Sequence, residues 1–576
     1  MIRRAYIRQV STATRHASTS TKVRRSSRGP SGRSTRVDIV DEELCDTVLS
    51  RLRTTFPTPN TCDIIDVNPG LGLWSRKLHD AIQPRRHVLV EPEFSSYSEH
   101  LGPLIDQKDS KFRHTALLED AYDPHSNLLS NYPEDGGNKL RPNLSLLMTV
   151  NLSGGHLSTA LYKGTPARKF FADIQWSLWK IRNNISRYGL IRVLAWVSDD
   201  EKDAYIPRTV TARRKQAVML EGSSLIKEVA GASVNKRPTF LRKWREIEVE
   251  DLARVAALEE AGGLTLPDER RQKAPAPDLL SIDPSPEALR RGQYSSDASW
   301  ISEFLQLDDK LRTEQPEWYA KMVSGELRWR HMRDPTQKDQ QIWRKLIRAA
   351  TTQHTTHMKA VELILEQRGL DTTWRQMLAS SGTLGRRDEG RLKTQAENLK
   401  NRISKLSRTN RAFAEKAIDD YRALDTNPQV MSWNQRRMEP VLVRSGDFQP
   451  ADKPLALLDV TPRTDFFTRF DTYDNMVFFA HVARTLWLNS GKSVHDALKV
   501  LVYEGLDDFV KTIPDIHDPT KGGWYDLSAV RVRSIPVEMV VEIALAYIRW
   551  PFRQSADSIL MFGQDPQAAY SLGDDD

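Results

Sequence analysis

Three observations predict an α/β chain built on a doubly wound parallel sheet. Short apolar runs alternate with helical stretches, a strand, a glycine turn and a helix follow one another near the amino end, and a carboxylate closes the next run. The runs lie at 62–67, 87–91, 144–150 and 191–197. They are nearly continuous in Val, Ile and Leu, as strands covered on both faces are.

A leading helix is expected over 41–52, where Leu44, Val48 and Leu52 share one face and Pro57 and Pro59 end the pattern. A second helix, over 74–82, follows the glycine turn. Residues 264–293, with Pro275, Pro277, Pro284 and Pro286 among charges, read as an exposed linker. Leu392, Ala396, Leu399, Ile403, Leu406 and Phe413 recur in three- and four-residue steps and predict one long amphipathic helix on a partner helix. A strand is expected at 454–460, and Met476, Phe479, Ala480, Ala483, Leu486 and Trp487 mark a helix. Further helices are expected near 494–508 and 536–549, the second with Pro536 in its first turn.

At 576 residues, with 39% hydrophobic and 28% charged content, the chain can bury a large core, which excludes fibrous and simply disordered classes. Cys45 and Cys62 are its two cysteines, too few for a disulfide framework or a Cys-based zinc site, and no apolar run reaches membrane-spanning length. The formal charge of +8 is unevenly spread. Residues 1–36 hold ten of the 84 basic groups and no acid, leaving 74 against 76 acidic groups in the remainder. That arm, rich in Arg, Ser and Thr, reads as a mitochondrial transit peptide and implies the matrix; the alternative is a basic arm touching nucleic acid.

The candidate chemistry centres on Asp66-Val67-Asn68-Pro69-Gly70-Leu71-Gly72, between a strand and a helix. Glycines let backbone approach a ligand, and the helix start offers amide donors. Glu91 ends the next strand about 20 residues on, where a carboxylate accepts hydrogen bonds from ribose hydroxyls. Asn68 and Ser75 break the dinucleotide fingerprint, so an S-adenosylmethionine site fits better than a nicotinamide one. Asp120 is the candidate adenine contact. The histidines show no ligand spacing, and no metal is assigned.

The next strand ends in Asn151-Leu152-Ser153-Gly154, and with it the chain resembles the ribosomal RNA adenine N6-dimethyltransferases, including their mitochondrial transcription factor B branch. Asp66, Gly70, Gly72, Glu91, Asp120 and Asn151 fall in the family's order, and the proline-rich segment 448–458 and residues 533–538 resemble its later part. The resemblance implies a Rossmann-like class I S-adenosylmethionine-dependent methyltransferase core with a helical insertion and a small helical C-terminal domain. The implied boundaries are 1–36 transit peptide, 37–231 core, 232–437 insertion, 438–556 last core strands and C-terminal domain, and 557–576 acidic tail.

In active members the tetrapeptide is close to Asn-Leu-Pro-Tyr, whose oxygens orient the adenine amine while the ring stacks on the flipped base. Here the ring is replaced by Gly154. The family's Gln-Asn-Phe-Leu segment appears as Val37-Asp38-Ile39-Val40, and its Arg-Arg-Lys cluster as Val482-Ala483-Arg484. The resemblance therefore implies a mitochondrial transcription factor partnered by mitochondrial RNA polymerase and promoter DNA, with Asn151 as a residual catalytic position. An active rRNA dimethyltransferase and a mitoribosome-associated structural factor are the alternatives. Arg208, Arg213, Arg214, Lys215 and Arg484 are the candidate nucleic-acid contacts, with Arg328-Trp329-Arg330-His331-Met332-Arg333 and Trp343-Arg344-Lys345 as further basic–aromatic patches.

Overall fold

The computed structural model describes residues 36–132, 140–154, 157–158, 163–176, 178, 185–232, 245–296, 298–326, 337–381 and 385–562. Eight strands form the central sheet: β1 (Asp63–Val67), β2 (His87–Val90), β3 (Phe112–Thr115), β4 (Pro142–Asn151), β5 (Leu190–Ser198), β6 (Ser224–Gly231), β7 (Val441–Leu442) and β8 (Leu455–Pro462). Their order is β7-β6-β8-β5-β4-β1-β2-β3. All neighbours pair parallel except β8, which runs antiparallel to both β5 and β6. The order reverses between β1 and β4, so the carboxyl ends of these strands open a crevice at the topological switch point.

Both faces of the central strands are covered, and their residues are mostly apolar. Helix α1 (Glu42–Leu52) is started by Asp41, whose carboxylate accepts from the Leu44 amide at 2.8 Å. With α2 (Leu73–Ile82) it packs Leu44, Val48, Leu73 and Leu78 against Leu147, Leu194 and Leu457 of one face. The other face carries Ile65, Met148, Val193 and Leu458 and is covered by Phe171 and Ile174 of the helix Pro166–Trp176.

The expected insertion is helical, with its own cores. It contains α3 (Lys338–Ser381), α4 (Arg386–Ser404) and α5 (Arg408–Asp425), with Ile364, Leu399, Phe413 and Ile418 buried between them. The single long helix expected through 392–413 is two helices. Ser407 caps the second by accepting from the Asn410 amide, so the chain turns between Ser404 and Arg408. The expected linker at 264–293 is corrected in part: most of it is exposed or half-buried, but it is tied to the body. Arg270 is fully buried, donating to Asp41 at 3.0 Å and Asp447 at 2.6 Å, and Leu279 and Leu289 enter a core with Phe304 and Trp343.

The C-terminal region packs α6 (Tyr473–Leu488) and α7 (Val537–Arg549) around Phe466, Phe470, Phe479 and Trp487. Pro536 stands at the N-cap of α7, one place before its first turn. The helix expected over 494–508 is broken into Val494–Leu501 and Leu506–Lys511, the second started by Gly505 at φ +72°. Among the described residues no helix is long and apolar enough to cross a membrane, and no group of three or more His, Cys, Asp or Glu is placed to hold a metal ion.

Candidate functional site

The glycine turn has the geometry its sequence demands. Asn68, Gly70 and Gly72 all have positive φ (59°, 58° and 72°), which lets the chain leave β1 and enter α2 within five residues. Asp66, Asn68, Glu91 and Asn151 then stand at the carboxyl ends of β1, β2 and β4, and Asp120 lies just beyond β3. Of these, Asp66, Asn68 and Asn151 line one crevice, and Glu91 accepts from the Gly70 amide of the same turn. Asn68 Nδ2 donates to the Asn151 carbonyl at 3.0 Å, tying the turn to β4.

The crevice is filled from within. Glu91 is fully buried; its Oε1 accepts from the Glu93 amide at 3.0 Å, and its Oε2 accepts from the Gly70 amide at 3.3 Å and from Arg36 Nη1 at 2.6 Å. Burial pulls the Arg36 guanidinium down, but Glu91 outweighs it and holds the group above its ordinary range. The Asp38 carboxylate sits against Gly70, where an added Cβ would lie 2.2 Å from Asp38 Oδ1. Close backbone approach is therefore used here by the chain's own side chain.

Asn151 is engaged in the same way. Its Nδ2 donates to the Val37 carbonyl at 2.9 Å, and its Oδ1 accepts from the Ser153 amide at 3.0 Å and hydroxyl at 2.5 Å. The Val37 amide in turn donates to Ser153 Oγ at 3.0 Å. Ile39, Asp66, Asn68, Trp74, Asn151 and Trp196 line a remaining cavity of ≈ 10 Å³, room for about one water. With Arg36 on Glu91 and Asp38 against Gly70, S-adenosylmethionine does not fit the crevice in this arrangement. Asp120 is exposed and accepts from Thr115 Oγ1 at 3.2 Å.

Asp66 faces a histidine pair. Its Oδ2 lies 3.4 Å from His87 Nε2, and His87 Nδ1 lies 3.3 Å from His79 Nδ1. Burial, then His87 and Lys111, pushes His79 down to about 4. Beyond the end of β4, a side chain at Gly154 would abut Pro166 Cγ at 3.3 Å.

Two candidate phosphate contacts are corrected. Arg213 is buried: its Nε and Nη2 both donate to Glu221 Oε2, at 2.9 and 2.7 Å, and Nη1 donates to the Ile535 carbonyl. Arg208 pairs with Glu228 and lies 4.0 Å over Trp433, on whose ring Arg436 also packs at 3.8 Å. Arg214 is exposed and Lys215 and Arg484 are half-buried. They lie on adjoining elements, because Trp487, one turn after Arg484, donates from Nε1 to the Arg213 carbonyl at 2.8 Å. Residues 328–333 lie outside the described residues. Trp343 is a core residue, donating to Asp308 at 2.9 Å, and cannot serve as a stacking platform.

Sequence reasoning missed Arg36 and Asp38. Arg36 reads as the last residue of the basic arm, although the structure binds it to the core; residues 1–35 lie outside the described residues, as do 563–576 of the expected tail. The available signal was the apolar run 37–40 interrupted by one acid.

No family model matches the chain, and no curated protein matches its sequence. Among solved structures it is similar to a 23S rRNA methyltransferase, ErmE, at 12% identity and a TM-score of 0.19, over 38% of this chain and 88% of that one.

Proposed function

We propose that this chain is a non-catalytic nucleic-acid-binding protein on a degenerate rRNA adenine N6-methyltransferase core, acting as a mitochondrial transcription factor that helps mitochondrial RNA polymerase select and melt promoters. The observation that supports this reading most is the filled donor crevice. Ligand pockets for molecules of this size occupy ~300–1,000 Å³, whereas the space left beside Asp66 and Asn151 is ≈ 10 Å³. Gly154 adds to it, since a stacking ring contributes ~1–3 kcal/mol per base.

In this role the cations Arg214, Lys215 and Arg484, on adjoining elements, pair with the phosphates of opened promoter DNA. The second reading, an active mitochondrial rRNA adenine dimethyltransferase, is favoured by the intact positive-φ turn and by Glu91 at its expected place. In that case Asn151 would orient the adenine amine and S-adenosylmethionine would supply the methyl group, once the crevice had opened.

One experiment separates the two. The purified chain is given labelled methyl donor with small-subunit rRNA, and in parallel the cognate polymerase with promoter templates, both duplex and pre-melted. Promoter-dependent initiation without methyl incorporation supports the proposal. Incorporation that disappears in Asn151→Ala replaces it with the enzyme. Co-sedimentation with ribosomal subunits, with neither activity, would favour a mitoribosomal structural factor.

A further inference from the structure

The disagreement between an intact donor turn and a closed donor crevice has one local cause. We infer that residues 36–39 form a strap built into the donor site, with Arg36 standing where a nucleoside's ribose hydroxyls would be received. Release of Arg36 from Glu91 then gates the binding of S-adenosyl ligands. This rests on reading the Asp66–Glu91 crevice as a donor site.

The strap is held along its length by different parts of the chain. Asp38 and Ile39 pair antiparallel with Gln449 and Phe448, and the Val40 amide donates to the Asp447 carbonyl at 2.9 Å. Val37 is fixed by Asn151 and Ser153. Arg36 is the outermost described residue of the strap, and its guanidinium lies 5.4 Å over the Tyr97 ring as it reaches Glu91. The strand pairing anchors the strap, Val37 and Asp38 fill the crevice at Asn151 and Gly70, and the ion pair closes it at Glu91.

The closure is chemically specific. A ribose offers two hydroxyl donors to a carboxylate, and Glu91 meets them only if its acceptor positions are open. Here three of its about four acceptor positions are occupied, by two amides and the guanidinium. A buried carboxylate that loses its cation is left uncompensated, so truncating Arg36 both vacates the space and creates a demand for a hydroxyl donor. A ligand carrying a cis-diol satisfies that demand, and its affinity rises. Retaining the positive charge as Lys preserves the lock.

The test uses S-adenosylhomocysteine as probe with the full chain, followed by calorimetry and by the fluorescence of Trp74 and Trp196, which line the crevice. Arg36→Ala is expected to bind at least tenfold tighter than the unaltered chain, Arg36→Lys to match the unaltered chain, and Arg36→Ala with Glu91→Gln to lose the gain. Far-ultraviolet dichroism and a cooperative melt establish that each variant is folded. Equal affinity in the unaltered chain and Arg36→Ala, with both weakened by Glu91→Gln, overturns the strap and leaves the donor-site reading standing. No binding by any folded variant overturns both.

Discussion

Arg213 shows how far a side chain's role depends on what folds around it. Its position beside Arg214 and Lys215 suggests phosphate binding, yet a fork of two N–H bonds to Glu221 in the core makes it a structural cation. Removing one member of a buried pair typically costs 3–5 kcal/mol, because the other charge stays behind, whereas replacing both with apolar groups costs much less. Arg213→Met is therefore expected to lose about 3–5 kcal/mol in urea denaturation, and Arg213→Met with Glu221→Leu to recover most of it. Protonation gives a second residue-scale prediction. His79 and His481 are both pushed down to about 4 by burial, with His87 and Lys111 adding to the first and Arg484 to the second. The unfolded chain accepts protons near 6.5 that the folded chain refuses, so this stability is fully present above 6.5 and is lost as pH falls toward 4. Melting temperatures measured from pH 7.5 to 4.5 should fall less steeply in His481→Leu than in the unaltered chain. An identical slope would reject the assignment.

At the level of elements, legibility followed burial. The runs at 62–67, 87–91, 144–150, 191–197 and 454–460 each became a strand because both sheet faces are covered, and continuous apolar sequence then has few alternatives. The turn at 68–72 was legible because positive φ selects Gly and Asn. Residues 264–293 were not. Their prolines and charges resemble a solvated linker, and only a partner distant in sequence, Asp447, turns Arg270 inward. The break between α4 and α5 was also hidden, since Leu406 continues the apolar spacing across the place where Ser407 caps a new helix. The glycine turn offers the matching prediction. Gly70→Ala would force both a left-handed alanine and a 2.2 Å approach to Asp38. It is expected to cost ~1–3 kcal/mol and to loosen residues 37–40, read as faster amide exchange there than in α1.

For the whole molecule, the insertion is bound into the body at several points, and the C-terminal region closes on it. Glu259 pairs with Arg51 of α1, and Arg270 with Asp41 and Asp447. A further link is Asp419 of α5, fully buried, which receives Arg531 at 3.3 Å and Arg533 at 2.6 Å from the segment leading into α7. One turn on, Arg422 donates to Asp371 of α3 and to the Ala529 carbonyl, each at 2.7 Å. These contacts join α3, α5 and the 526–535 segment to one another. Asp419→Ala leaves two arginines without their shared anion, so a loss of several kcal/mol is expected. Its distribution is the informative part. Hydrogen exchange should accelerate together in 408–425 and 526–535 while β1, β4 and β5 keep their protection. Acceleration confined to 408–425 would show that the arginines hold the C-terminal segment by other means, and that the insertion and the C-terminal region are not coupled through this carboxylate.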